Sequence, residues 1–215
     1  MSEAAGVGAR VGLVGAALVL WFWTQRLIGR KAAPAEGVGD RLHDWSAPLH
    51  GWLAAHPRAA DGTLIVSSAC VDLLGLYLLG AAVLGPTFRP FVALLSAFAL
   101  RQVCQGLCTL PVPRGMIWRR PGFPSLLVTY GTSNDLFFSG HTAVAVLGAL
   151  ELGHAGPPWL AAAVAAVAVL EAATVVVLRA HYTMDVFAGA LAAVCCEEFA
   201  SWIAPTVDAW LRGSS

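Results

Sequence analysis

The chain has 215 residues, 58% of them hydrophobic and only 12% charged, with a formal net charge of zero. An ordinary soluble domain is nearer half apolar and a quarter charged, so this composition indicates a membrane protein. Lys31 is the single lysine, and there is no strongly basic surface of the kind nucleic acid requires.

Crossing a hydrocarbon core of ~30 Å takes about 20 helical residues. Six stretches approach that length: 11–28, 62–85, 90–110, 136–153, 158–178 and 186–203. The first begins like a signal peptide, with Arg10 before its apolar core. Bulky Trp21-Phe22-Trp23 and then Arg26 follow, without a small-residue cleavage site, so it reads as a span. After it, Leu42, Trp45, Leu49, Trp52 and Leu53 recur at helical spacing, interrupted by Pro48. Two tryptophans on one face predict a helix lying in the interface plane. Gly85-Pro86 to Pro90 makes a tight turn between the second and third spans, and Gly153 to Pro158 another between the fourth and fifth. The long connection 111–135 precedes the fourth span.

The expected fold is therefore all-α: a polytopic six-transmembrane-helix bundle with an interfacial amphipathic helix. Residues 1–61 hold the first span and the interfacial helix, 62–203 a catalytic five-helix core, and 204–215 a C-terminal tail. Cys70, Cys104, Cys108, Cys195 and Cys196 lie in or beside apolar runs, without a C-x-x-C pair, and read as small hydrophobes. Asp72 and Glu171 fall mid-span, as cavity lining or as structural polar pairs. Glu151, Glu197 and Glu198 lie near span ends and read as interfacial.

The chemistry gathers at two polar stretches that open apolar runs. Asn134-Asp135-Leu136-Phe137-Phe138-Ser139-Gly140-His141-Thr142 starts the fourth span, and His181-Tyr182-Thr183-Met184-Asp185 starts the sixth. One span intervenes, so both histidines lie at the same membrane face. Arg101, in the last third of span three, and Arg179, at the end of span five, point to that face too. A lone histidine at a helix end usually snorkels or caps, but five ionisable residues from several segments form a functional cluster.

Such a cluster suits a phosphate ester. Two guanidinium groups can hold its oxygens. Ser139 and Gly140 supply an N-cap and free backbone N–H groups, which favour an anion. His181, with Asp185 one turn away, fits a nucleophile and its orienting carboxylate. His141 fits the acid that protonates the departing alkoxide and then the base for the incoming group. Zinc could use both histidines and Asp185, but two arginines would repel a cation. A serine hydrolase would need the missing G-x-S-x-G elbow.

These motifs resemble the type 2 phosphatidic acid phosphatase (PAP2) superfamily over roughly residues 62–203. More narrowly, they resemble its sphingomyelin synthase-like branch, which includes the phosphatidylcholine:diacylglycerol cholinephosphotransferases. Arg101-Gln102 running on to Thr109-Leu110-Pro111-Val112-Pro113, the threonine after Ser-Gly-His, and Arg179 before His181-Tyr182-Thr183 carry that narrower likeness. The phosphatases' own signature departs here: no lysine precedes Arg89-Pro90, and Val175 stands six residues before His181. The resemblance implies metal-independent transfer of a phosphocholine or phosphoethanolamine-type group through a phosphohistidine at His181, with no cofactor. The donor would be a glycerophospholipid and the acceptor a lipid alcohol, diacylglycerol or ceramide, both within the bilayer. Hydrolysis of phosphatidic acid or an isoprenoid diphosphate is the alternative activity, and a non-catalytic lipid-binding protein the second; a homo-oligomer is left open.

The histidine face also carries Arg26, Arg30, Lys31, Arg41, Arg58, Arg114, Arg119 and Arg120, against Arg10, Arg89 and Arg212 opposite. The positive-inside rule puts that face in the cytoplasm, whereas the resemblance implies the outer or lumenal side. The expected setting is a bacterial inner membrane or a eukaryotic endomembrane.

Overall fold

The computed structural model describes residues 3–30, 38–130 and 135–213, so Lys31 and Asn134 lie outside the described residues. Among the described residues eight helices follow one another: α1 (Glu3–Ile28), α2 (Arg41–Trp45), α3 (Ala47–Ala55), α4 (Pro57–Leu84), α5 (Arg89–Leu107), α6 (Gly140–Ala155), α7 (Pro158–Val177) and α8 (Thr183–Gly213). No strand occurs among the described residues. Proline stands in the first turn of α3, α4, α5 and α7, where its missing N–H costs nothing and its fixed φ favours the helix. Asp40 caps α2 and Ser139 caps α6 through side-chain oxygens.

Among the described residues, five helices are long and apolar enough to span a membrane: α1, α4, α5, α7 and α8. The six-span expectation is corrected at α6. Residues 136–138 continue the apolar run but are not helical, and Ser139 starts the helix only at Gly140. That leaves 16 residues, about 24 Å at the usual rise per residue, short of the hydrocarbon thickness. The C-terminal stretch, expected as a tail, continues α8 as helix to Gly213.

The core lies where α6 packs on α4, α7 and α8, and α5 on α8. It is built on Leu74, Leu78, Leu147 and a set of alanines: Ala93, Ala97, Ala145, Ala193 and Ala200. Small residues let helix backbones approach closely where lipid offers no hydrophobic drive. Leu73, Val169, Leu170, Phe187 and Trp202 point outwards and are more than 60% exposed, an apolar surface fit for lipid. Helix α1 is peripheral and packs on α4 and α5.

The polar residues met along the spans are mostly committed. Asp72 accepts bonds from the Leu126 and Leu127 amides, both 2.8 Å, and so pins the 111–135 connection to α4. Glu171 accepts a 2.6 Å bond from the Ser67 hydroxyl. Glu151 and Glu197 are not interfacial: both are buried. Arg89 pairs with Glu151 at 3.0 Å, while Glu197 accepts from His154 and Ser201, each 2.9 Å.

The α2–α3 segment breaks at Ser46, with Pro48 in the first turn of α3. Trp45, Leu49 and Trp52 face outwards, while His43, His50 and Leu53 are buried against the bundle. His43 Nε2 donates to the His181 carbonyl (2.9 Å), and His50 Nδ1 to that of Val177 (2.9 Å). The segment is a strap across the turn that joins α7 to α8.

Candidate active site

Two helix starts make the site. At the first, Ser139 Oγ accepts from the Thr142 amide (3.3 Å) and hydroxyl (3.0 Å), which fixes the first turn of α6 and sets His141 one residue inside it. At the second, Asp185 Oδ2 accepts from the Tyr182 amide at 2.9 Å, the back-reaching half of a capping box on α8. The two starts are tied together, since the Ser139 amide donates to the Asp185 carbonyl at 2.9 Å. Gly189, one turn on in α8, makes room for this: a Cβ there would stand 2.5 Å from the Ser139 carbonyl oxygen.

The result brings the His141 and His181 rings to 6.5 Å between centroids. Both are under a tenth exposed. His181 Nδ1 lies 3.7 Å from Asp185 Oδ2. Asp185 is fully buried. Among the described residues, His141 Nε2, His181 Nδ1 and Asp185 Oδ1 are buried without hydrogen-bond partners. Buried polar atoms are nearly always satisfied, and the two imidazole nitrogens belong to residues lining one cavity, where a polar guest would complete them.

That cavity has a volume of about 50 Å³ and is lined by His141, His181, Gly140, Arg101 and Trp118, among others. Arg101 is buried on α5, with Nε donating to the Phe138 carbonyl and Nη2 to the Asp135 carbonyl, each at 2.7 Å. A carboxylate oxygen of Asp135 stands 3.8 Å from Nη2. The guanidinium is thus fixed by the residues that lead into α6, beside Gly140, where a Cβ would stand 3.4 Å from Arg101 Nε. Trp118, from the 111–135 connection, meets His141 edge-on at 5.1 Å and closes one side.

Two expected phosphate-binding residues are placed differently. Ser139 does not line the cavity, and its hydroxyl is engaged as the α6 cap. Arg179 lies at the end of α7 with φ of 55°, while the Ala180 amide bonds Val175 O (2.8 Å) and the Arg179 amide Val176 O (2.9 Å). This is the left-handed C-terminal closure that glycine normally supplies. It sends the Arg179 side chain towards the Arg114 carbonyl, 2.7 Å from Nη1. There it lines a separate outer cavity of about 310 Å³ with Asp40, His43, Asp44, Arg114 and Tyr182.

Sequence reasoning found the helical spacing of the strap but missed its docking through Asp40 and His43. Asp40 accepts from the Thr183 amide and hydroxyl as well as from the Leu42 and His43 amides. One carboxylate therefore caps α2 and α8 at once. Partial burial works against its charge, but the bonds from Thr183 and the nearby His43 outweigh it and hold the carboxyl below its ordinary range. The detectable signal was an acidic residue just ahead of the amphipathic stretch. Trp21 and Gln25 of α1, which also line the histidine cavity, were legible only as part of a span.

The family model AtPDCT1/2 matches residues 42–202, from α2 to within α8. No curated protein and no solved structure matches the chain.

Proposed function

Because the chain belongs to the AtPDCT1/2 family, the phosphatidylcholine:diacylglycerol cholinephosphotransferases, we propose that it moves phosphocholine from phosphatidylcholine to diacylglycerol within the bilayer, through a phosphohistidine at His181. The observation that carries this reading is the pair of buried imidazoles, 6.5 Å apart on one cavity, a gap that one phosphoryl group can bridge.

The roles follow from the atoms. His181 Nδ1 faces Asp185, which leaves Nε2 to attack phosphorus with its lone pair. The P–O bond to diacylglycerol breaks, and protonated His141 gives its proton to that oxygen. A second diacylglycerol then loses its hydroxyl proton to His141 and attacks phosphorus; the P–N bond breaks and His181 is restored. Arg101 and the Gly140 amide hold the non-bridging oxygens, whose charge is spread in each transition state. Arg179 fastens the 111–135 connection over the site. The two half-reactions are mirror images, so one glycerolipid seat serves donor and acceptor in turn. The chain is similar in its motifs to the PAP2 superfamily, and this mechanism is of the same type.

The test is a lipid-product assay in mixed micelles. Headgroup-labelled phosphatidylcholine plus unlabelled diacylglycerol of distinct chain length should yield labelled phosphatidylcholine bearing the new chains, and His181→Ala should abolish it. Without acceptor, wild-type protein should retain an acid-labile label that His181→Ala lacks. Acceptor-independent release of phosphate from phosphatidic acid would overturn the transferase assignment in favour of a hydrolase.

A further inference from the structure

A second cavity adjoins the histidine cavity on its α1 side. It holds about 60 Å³ and is walled by Ala17 and Leu18 of α1, Leu79 of α4, and Phe91, Leu94 and Leu95 of α5. The two cavities share Trp21, Phe98, Leu127 and Val144, so they are neighbours across one row of side chains. Their chemistry differs sharply: one is set with histidines, an arginine and an aspartate, and the other is apolar throughout. An apolar groove adjoining a polar chamber across one row of side chains matches an amphiphile with its polar end inwards. It does not match a water-soluble substrate.

The junction carries unanswered polar atoms. Trp21 Nε1 and Gln25 Oε1, one helical turn apart on α1, are buried without partners among the described residues. Gln25 is 5% exposed. Buried indole N–H groups nearly always find an acceptor, and here the open side is the cavity. Gly75 of α4 lines the groove and leaves space for Leu127, whose Cδ1 would lie 2.1 Å from a Cβ at that position. Helix α1 also lies before the region matched by the family model, which starts at residue 42.

We propose that the α1–α4–α5 groove is the acyl-chain seat of the glycerolipid, and that Trp21 Nε1 donates to an ester carbonyl of the lipid at the junction. This rests on the cholinephosphotransfer reading for the identity of the lipid, though not for the existence of the seat. Trp21 then stands where the glycerol backbone crosses from hydrocarbon to the chamber, and it sets how deep the phosphate or hydroxyl can reach. One chain in the groove leaves the other in the surrounding bilayer.

The decisive experiment uses the full-length His181→Ala protein in nanodiscs, which separates binding from turnover. Phosphatidylcholine carrying a photoreactive group in one acyl chain should label Leu18, Leu79 and Phe91 saturably, and unlabelled short-chain phosphatidylcholine should compete for those sites. Outward-facing Leu73 and Val169 should label without saturation. Leu95→Trp should remove the saturable labelling, and Leu170→Trp should leave it intact. In the active protein, Trp21→Phe keeps an aromatic ring and removes the indole N–H together with the five-membered ring that carries it. It should raise KM for the glycerolipid roughly five- to tenfold, the size of one neutral hydrogen bond, with kcat little changed. Saturable groove labelling without transfer activity would support the seat while removing the cholinephosphotransfer reading. Uniform unsaturable labelling would overturn the seat, and an unchanged KM in Trp21→Phe would overturn the Trp21 hydrogen bond.

Discussion

At the scale of single residues, Asp185 caps a helix start and, in the proposed mechanism, orients the nucleophile with the same side chain. Its Oδ2 takes the Tyr182 amide at 2.9 Å and its Oδ1 is unpartnered, while His181 Nδ1 lies 3.7 Å from Oδ2. Asp185→Asn keeps an oxygen for the amide bond but removes the anion beside the imidazole. Helix content and melting temperature should therefore stay close to wild type, while kcat falls on the order of 10³–10⁴-fold, as when a catalytic histidine loses its orienting carboxylate. A lipid-product assay beside circular dichroism reads both; a fully active variant would remove the assigned nucleophile. His141, His181 and Asp185 were legible because polar residues at the mouth of an apolar run cost free energy unless used. The direction of Arg179 was not legible. It follows from the sign of φ at a turn where an arginine occupies the position glycine usually takes, and nothing in the string Leu178-Arg179-Ala180 announces that.

At the scale of elements, the site depends on two helix starts being held together. Gly189 is the pressure point, since a Cβ there would sit 2.5 Å from a backbone oxygen that cannot swing aside. Gly189→Ala should cost about 1–3 kcal/mol of stability, the usual overpacking range, and should abolish most transfer by parting α6 from α8. Gly153→Ala is the matched control: its nearest neighbour would be Ala161 Cβ at 3.9 Å, so stability and activity should hold. The strap is the second device. Asp40 has its folded pKa below the ordinary value, so the stability it adds is present above its unfolded pKa and fades as pH falls through the folded one. Thermal melts of wild type against Asp40→Asn should accordingly differ at neutral pH and converge in acid; a pH-independent gap would show that the carboxylate charge is not involved. Reading along the chain caught the amphipathic spacing of the strap, but not its docking, because the bonds from Asp40 and His43 join positions more than a hundred residues apart. It also over-lengthened α6, because hydropathy counts Leu136, Phe137 and Phe138 while the Ser139 cap decides where the helix begins.

At the scale of the whole molecule, the two ends of the bundle carry opposite polar tasks. The histidine end leaves several polar atoms unsatisfied around a cavity. The other end closes its own charges: Arg89 bridges Glu151 on α6 at 3.0 Å and approaches Glu197 on α8 at 4.0 Å, with His154 and Ser201 completing Glu197. Thr87 and the Phe88 amide similarly satisfy Asp208 at 2.7 and 2.8 Å. This far end is a staple holding α5, α6 and α8 in register, so that Arg101 on α5 meets His141 on α6 and Asp185 on α8 at the working end. Arg89→Met tests that division. It leaves the buried Glu151 carboxylate without its cation, a loss that typically costs about 3–5 kcal/mol when a buried pair is broken from one side. The melting temperature in detergent should fall substantially. Because Arg89 lies at the opposite end from the histidines, the fraction still folded should keep the wild-type KM at low temperature. Adding Glu151→Leu to Arg89→Met should recover much of the lost stability by removing one uncompensated charge. A double variant no more stable than the single one would mean that the staple acts through packing rather than charge.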